Sequence, residues 1–272
     1  MSRLSNFKDR VVFITGASEG IGRALALRLA ADGARLALIA RNEGRLEQLA
    51  DQCRAEGAEA IVITADVTVE KSCRQSIQKT IDHYEKLDVL VNNAGMSMAS
   101  RFDELKDLSV IEQLMQVNFF GSVYCTHEAL PHLEKTRGMI VAVASMTGLL
   151  GIPFRTGYCA SKHAMIGFFD ALRGELKSRG ISVVTIAPDF VQSEIRRRAL
   201  GSDGQPTGET TLDEDRVLTA EGCAEMIVRA MKSRKRLLIT STRGKLGYAL
   251  KGLIPGLIDR VLGREADKLN KR

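Results

Sequence analysis

The stretch Val11-Val-Phe-Ile-Thr-Gly-Ala-Ser-Glu-Gly-Ile-Gly-Arg-Ala-Leu-Ala-Leu-Arg-Leu-Ala30 decides the fold. Its first five residues, Val11 to Thr15, read as a strand buried on both faces. Glycines at positions 16, 20 and 22, enclosing Ser18 and Ile21, form a tight turn, and helical spacing of apolar residues follows over 21–32. A strand passing through a Gly-rich turn into a helix opens a β-α-β unit, since parallel neighbours need a crossover. The same turn directs a helix N-terminus at whatever lies above it, a place suited to a pyrophosphate. Glycines also simply close strand–helix turns, so it is the position of Gly16, Gly20 and Gly22 after the first strand that favours a dinucleotide.

The alternation continues outward from there. Further strands are expected at 36–40, 60–64, 88–92, 139–144, 182–187 and 237–240, and helices at 42–56, 69–84 and 108–134, with one more ending near 178. Near-continuous apolar strands separated by helices imply an α/β fold, a single doubly wound domain with a seven-stranded parallel sheet covered on both faces. No repeat, low-complexity tract or linker divides residues 1–240, and 241–272 form a basic C-terminal extension. The connection 190–218 has the size of a mobile lid over a site.

Composition narrows the function classes. The net charge of +6 is unevenly placed: residues 229–272 carry 13 Lys or Arg against three acids, +10, leaving −4 for the rest. No stacking aromatics accompany this basic cluster, which argues against nucleic acid as a partner. Five cysteines without C-x-x-C spacing argue against a disulfide framework or a metal site and fit a reducing, cytoplasmic setting. The N-terminal residues lack a signal-peptide apolar region, and no apolar run reaches the length of a spanning helix.

Chemistry concentrates in four places. Asn92-Asn-Ala94-Gly95 ends the fourth strand, Asn118 lies in the long helix, and Ser145 ends the fifth strand, thirteen residues before Tyr158 in Gly157-Tyr-Cys-Ala-Ser-Lys162. Tyr158 and Lys162 are neighbours on a helix, and an ammonium beside a phenol favours the phenolate. Parallel α/β sheets bind ligands at the C-terminal ends of their strands, where most of these residues fall.

In this combination the chain resembles the short-chain dehydrogenase/reductase family over residues 8–240. The resemblance implies a Rossmann-type domain, hydride transfer between a ketone and a secondary alcohol, and NADP(H). It implies that Tyr158 is the general acid, that Ser145 holds the substrate oxygen, that Lys162 holds the nicotinamide ribose and lowers the tyrosine pKa, and that Asn118 anchors a proton relay. Cofactor contacts are implied for Gly16, Ser18, Gly20, Ile21, Gly22, Asp66, Val67, Asn92, Ala94, Gly95, Tyr158, Lys162, Pro188, Val191 and Ser193. Where NAD enzymes carry an acid after the second strand, this chain has Ala40 and Arg41, a residue suited to a 2′-phosphate. Two positions depart from the family pattern: Asp189 follows Pro188 where glycine is usual, and Glu19 stands where phosphate-preferring members often have Lys or Arg.

Met96, Met98, Met146, Leu149, Leu150, Ile152, Phe154, Phe190 and Ile195 fall on rim loops and suggest a lipophilic carbonyl substrate. The extension, with its mixture of apolar and basic residues, is similar to tails of lipid-ketone reductases. It is suited either to peripheral contact with an anionic membrane or to docking on the core. Pro255 and Gly256 are expected to break it into two short helices. The resemblance further implies a homodimer or homotetramer, with Phe119, Phe120, Val123, Phe168 and Phe169 on the dimer helices. The readings from other classes are a dinucleotide-binding regulator and a lipid-surface protein with little catalysis; a pure binder has no use for a proton donor.

Overall fold

A computed structural model describes residues 6–208 and 217–270. Seven parallel strands form one sheet in the order β3-β2-β1-β4-β5-β6-β7: β1 (Val11–Thr15), β2 (Arg35–Ala40), β3 (Ala60–Thr64), β4 (Val89–Asn92), β5 (Met139–Val143), β6 (Ser182–Ala187) and β7 (Leu237–Ile239). The chain winds outward from β1 in one direction and then, after β3, returns to place β4 on its other side. Val12 accordingly pairs with Leu36 on one flank and Val89 on the other. The crevice above this reversal is where such sheets take ligands.

Period-two alternation within each strand supplies two cores. Val12 and Ile14 point into a core shared with α1 (Gly20–Ala30), α2 (Glu43–Ala55) and α7 (Ala220–Lys232). Val11 and Phe13 point the other way, against α3 (Glu70–Tyr84), α5 (Gly121–Thr136) and α6 (Thr156–Leu176). This double burial is why the strands carry almost no polar residues.

The long helix expected over 108–134 runs unbroken over 109–136, with one π turn inside it. That turn, Gln116–Phe120, contains Asn118 and joins α4 (Ser109–Met115) to α5. The extension forms α8 (Thr242–Lys251) and α9 (Pro255–Asn270). The break falls at 252–254, and Pro255 opens α9 in the first turn, where its missing N–H forfeits no helix hydrogen bond. No helix among the described residues is long and apolar enough to cross a membrane. Ile258 and Leu262 of α9 pack against the cluster of Met146, Leu149, Leu150, Ala187 and Ile239, so the extension adheres to the sheet's C-terminal edge.

The connection after β6 closes back on the rim. Val191 bridges Leu218, Leu200 N donates to Ser97 O at 2.9 Å, and Ala99 N donates to Leu200 O at 2.9 Å. Residues 209–216 of the expected lid lie outside the described residues.

Candidate active site

A groove of about 1230 Å³ runs along the C-terminal ends of the strands. Its floor begins at the Gly-rich turn. Gly16 and Gly20 have φ of +63° and +52°, which side chains rarely adopt, and a Cβ on Gly16 would lie 2.8 Å from Ala94 Cα. Gly22 does not line the groove. A Cβ there would meet Gly16 O at 2.3 Å, so its smallness lets α1 pack against its own turn. Thr15 Oγ1 accepts from Asn93 N and Ala94 N, both at 2.9 Å, and pins β1 to the end of β4.

The family pattern implies a cofactor contact for Asn92, and the structure puts Asn93 on the groove instead. Asn92 is buried behind the groove and donates through Nδ2 to Thr126 Oγ1 at 2.9 Å. Asn93 lines the groove and donates to Thr15 O and Gly16 O at 3.0 and 3.1 Å. Strand alternation is the signal that separates them: adjacent residues face opposite ways. Ser18, Ile21, Asp66, Val67, Ala94, Gly95, Pro188, Val191 and Ser193 all line the groove, as the motifs imply.

Two arginines stand at the open end beyond β2. Arg41 lines the groove and is exposed, while Arg45, one turn into α2, lines it too and was not singled out from sequence. Glu19 is held between two cations, accepting from Arg45 Nη1 at 2.8 Å and from Arg198 Nη1 at 2.7 Å. Its charge is thereby matched, and it ties the Gly-rich turn to the segment after β6.

At the other end Ser145, Tyr158 and Lys162 converge on one wall. Burial raises the Tyr158 pKa, and a hydrogen bond with Ser145 and the nearby Arg155 and Arg196 guanidiniums oppose the rise. Lys162 Nζ is buried, donates to Val143 O at 3.1 Å, and lies 5.9 Å from the Tyr158 ring centre; burial lowers its pKa to about 8. Asn118 does not line the groove but stands directly behind it. Its Oδ1 accepts from Met96 N at 2.8 Å, and its Nδ2 donates to Met96 O at 3.0 Å and Ser161 Oγ at 2.8 Å. A Cβ on Gly95 would lie 3.2 Å from Asn118 Oδ1 and 3.5 Å from Lys162 Nζ, so these three residues form one tight cluster.

Of the apolar rim residues, Met96, Met146, Ile152, Phe190 and Ile195 line the groove. Met98 is instead fully buried beside Val110, Leu114 and Leu200, and Leu149 and Leu150 pack under α9. Phe154 lies outside the groove in a left-handed turn with φ +64°. Asp189 does not merely tolerate its turn. It accepts from Ser241 Oγ at 2.6 Å and from Arg243 Nε at 2.8 Å, and these partners hold its carboxyl below the usual range despite burial. No cluster of metal-binding side chains occurs among the described residues.

Comparison with known proteins agrees with this geometry. The family model for short chain dehydrogenases matches residues 10–202. An 11-beta-hydroxysteroid dehydrogenase A of Arachis hypogaea is 40% identical over 265 residues, covering 93% of this chain and 74% of that protein. A dehydrogenase/reductase SDR family protein 7-like of Dictyostelium discoideum is 34% identical, covering 94% and 81%. Among solved structures, a short chain dehydrogenase/reductase from Burkholderia phymatum in complex with NAD superposes with a TM-score of 0.83 at 25% identity, covering 93% of this chain and 96% of that one. An alcohol dehydrogenase from Thermococcus sibiricus complexed with 5-hydroxy-NADP gives 0.74 at 27% identity, covering 85% and 96%.

Proposed function

The chain belongs to the short-chain dehydrogenase/reductase family, and on that premise we propose that it interconverts a lipophilic ketone and its secondary alcohol with NADP(H). One observation carries the reading: a phenol, a hydroxyl and a buried ammonium share a groove with a glycine cradle. The cradle fits a dinucleotide, since its left-handed glycines leave open the space that side chains would fill. Gly16, Ser18, Gly20 and Ile21 would hold the pyrophosphate, Asp66 and Val67 the adenine, and Ala94, Gly95, Pro188, Val191 and Ser193 the nicotinamide half. A bound nicotinamide dinucleotide supplies or accepts hydride.

The protein's own part is proton delivery and orientation. Ser145 Oγ holds the carbonyl oxygen, and Tyr158 Oη gives it a proton. Arg155, Arg196 and the bond to Ser145 ease loss of that proton against the opposing burial. Lys162 Nζ, displaced from water, would donate to the ribose hydroxyls and pass a proton to Tyr158 from the cluster at Asn118. NADP(H) rather than NAD(H) is supported by Arg41 and Arg45 at the β2 end and by the lack of a carboxylate at position 40. The lipophilic substrate is supported by Met96, Met146, Ile152, Phe190 and Ile195. The aromatic face shared by the π turn, α5 and α6, where Phe119 meets Phe168 at 5.9 Å and Phe120 stacks on Tyr124 at 6.1 Å, supports a homodimer; a homotetramer would add a contact through β7.

The test pairs cofactor titration with one substitution. The wild type is expected to bind NADPH more tightly than NADH. Tyr158→Phe is expected to keep that affinity and lose about 10² or more in turnover on a ketone. Near-normal turnover by the variant removes Tyr158 from the mechanism, and equal affinities for the two cofactors remove the assignment of Arg41 and Arg45.

A further inference from the structure

Arg155 is placed where a positive charge is hard to keep. It stands at the N-terminal cap of α6, the end of a 21-residue helix that favours anions, and offers the helix no side-chain cap. It is partly removed from water, and burial lowers its pKa. Among the described residues it has no carboxylate partner. Among the described residues its side-chain hydrogen bonds run from Nη1 to Ser97 Oγ at 3.0 Å and Met98 O at 3.2 Å.

The carboxylates that line the same groove are engaged elsewhere or stand apart. Glu19 pairs with Arg45 and Arg198, Asp189 with Arg243, and Glu194 with Arg197. Asp66 accepts from Thr68, and Glu112 is exposed on α4. The ionisable groups felt by Arg155 are the Tyr158 phenol and the Cys159 thiol, both neutral in their usual states. A charge drawn partly out of water with no opposite charge beside it is costly, so a compensating anion is to be sought in what the groove binds. Arg155 lines the substrate end of that groove, beside Tyr158.

We propose that Arg155 receives an anionic group of the substrate, a carboxylate or phosphate carried close to the carbonyl that Tyr158 protonates. The proposal rests on the ketone-reductase reading above and narrows it to an amphiphile. Its apolar body lies along Met96, Met146, Ile152 and Ile195, and its one oxyanion faces the guanidinium. Arg suits this task because its planar fork can spend Nη1 on Ser97 and Met98 and still present other N–H groups to an oxyanion.

The test uses matched ketones that differ chiefly in charge: benzoylformate and 3-benzoylpropionate, each against its methyl ester, with phenacyl phosphate as the phosphate arm against its dimethyl ester. The readout is the ratio of kcat/KM for the acid to that for its ester. The wild type is expected to favour at least one anion. Arg155→Gln is expected to reduce that preference by about tenfold or more, chiefly through KM, and Arg155→Lys to restore part of it. Which anion leads distinguishes carboxylate from phosphate and sets its spacing from the carbonyl. An unchanged ratio in Arg155→Gln, or a wild type that favours the esters, overturns the proposal. Should Arg155→Gln not fold, the wild-type ratio and its change in Arg155→Lys decide. If no ketone of either kind is reduced, the reductase reading fails by itself. Calorimetric titration of 3-benzoylpropionate into wild type and Arg155→Lys then decides the anion site separately: weakened binding in the variant supports it, and equal or absent binding overturns it.

Discussion

Lys162 is the residue whose burial works against the fold. Its ammonium, under Gly95 and against the Val143 carbonyl, has a pKa lowered to about 8 from 10.5. Between those values the unfolded chain binds more protons than the folded one, so stability rises with pH across that window. Below about pH 8 the full cost is present, on the order of 3 kcal/mol for a shift of this size. Lys162→Met is therefore expected to melt higher than wild type at pH 7, with the difference shrinking as pH rises above 8, while turnover is lost. Thermal melts of both proteins from pH 7 to 9.5, without cofactor, check this; a constant difference would place the burial cost elsewhere. Buried Cys53 and Cys223 titrate alike in both proteins and cancel in the comparison. At this scale the sequence was informative where a residue type has one chemical use, as for Tyr158 with Lys162, and poor where side-chain direction decides. Asn92 and Asn93 are one chemistry facing two ways, and Arg155 becomes conspicuous only when the absence of a carboxylate around it is seen.

At the scale of elements, strands and helices were legible because burial on both faces imposes its own pattern, and Val12 and Phe13 can alternate between cores without a polar residue intervening. The π turn at Gln116–Phe120 was not legible: a widened turn keeps α4 and α5 collinear and leaves the apolar spacing intact, while it carries Asn118 inward. Asp189 was legible as a departure but not as a link, since its partners Ser241 and Arg243 lie more than fifty residues on. There it ties the end of β6 to the start of α8, and Arg243 also lies over the Phe190 ring at 4.9 Å. Arg196 lies over the same ring at 5.1 Å, so α8, Phe190 and the segment after β6 form one stack beside the groove. Asp189→Gly is expected to loosen α8 locally by about 1 kcal/mol, a modest figure because Arg243 is more than half exposed. The expected signature is faster amide hydrogen exchange over 242–251 with exchange in β1 and β4 unchanged. Unchanged exchange in α8 would show that Ile258 and Leu262 hold the extension without help from Asp189.

On the scale of the whole molecule, charge and apolar surface are segregated in the same direction. The domain's excess of positive charge lies after residue 229, and the large exposed apolar side chains gather there as well: Leu246, Tyr248, Leu253, Ile254, Leu257 and Val261, with Leu253 78% exposed. Lys245, Lys251, Arg260 and Arg264 flank them on α8 and α9. An anionic lipid surface complements both features, through apolar burial and roughly 1 kcal/mol per basic residue near the headgroups, the second part weakening with salt. Truncation before α8 is a poor test, because Ile258 and Leu262 pack against the cluster that includes Met146, a groove-lining residue next to Ser145, and their loss would uncover it. Outward-facing substitutions avoid this. Leu253→Glu with Leu257→Glu is expected to abolish sedimentation with anionic vesicles at low salt, while the wild type sediments with them, is released by high salt, and stays in solution with neutral vesicles. Activity of the double variant on a short water-soluble ketone is expected to persist, since neither side chain reaches the groove. If the wild type remains in the supernatant with anionic vesicles at low salt, the apolar surface of α8 and α9 belongs to another protein chain, and light scattering of the double variant against wild type then shows whether that chain is a second copy.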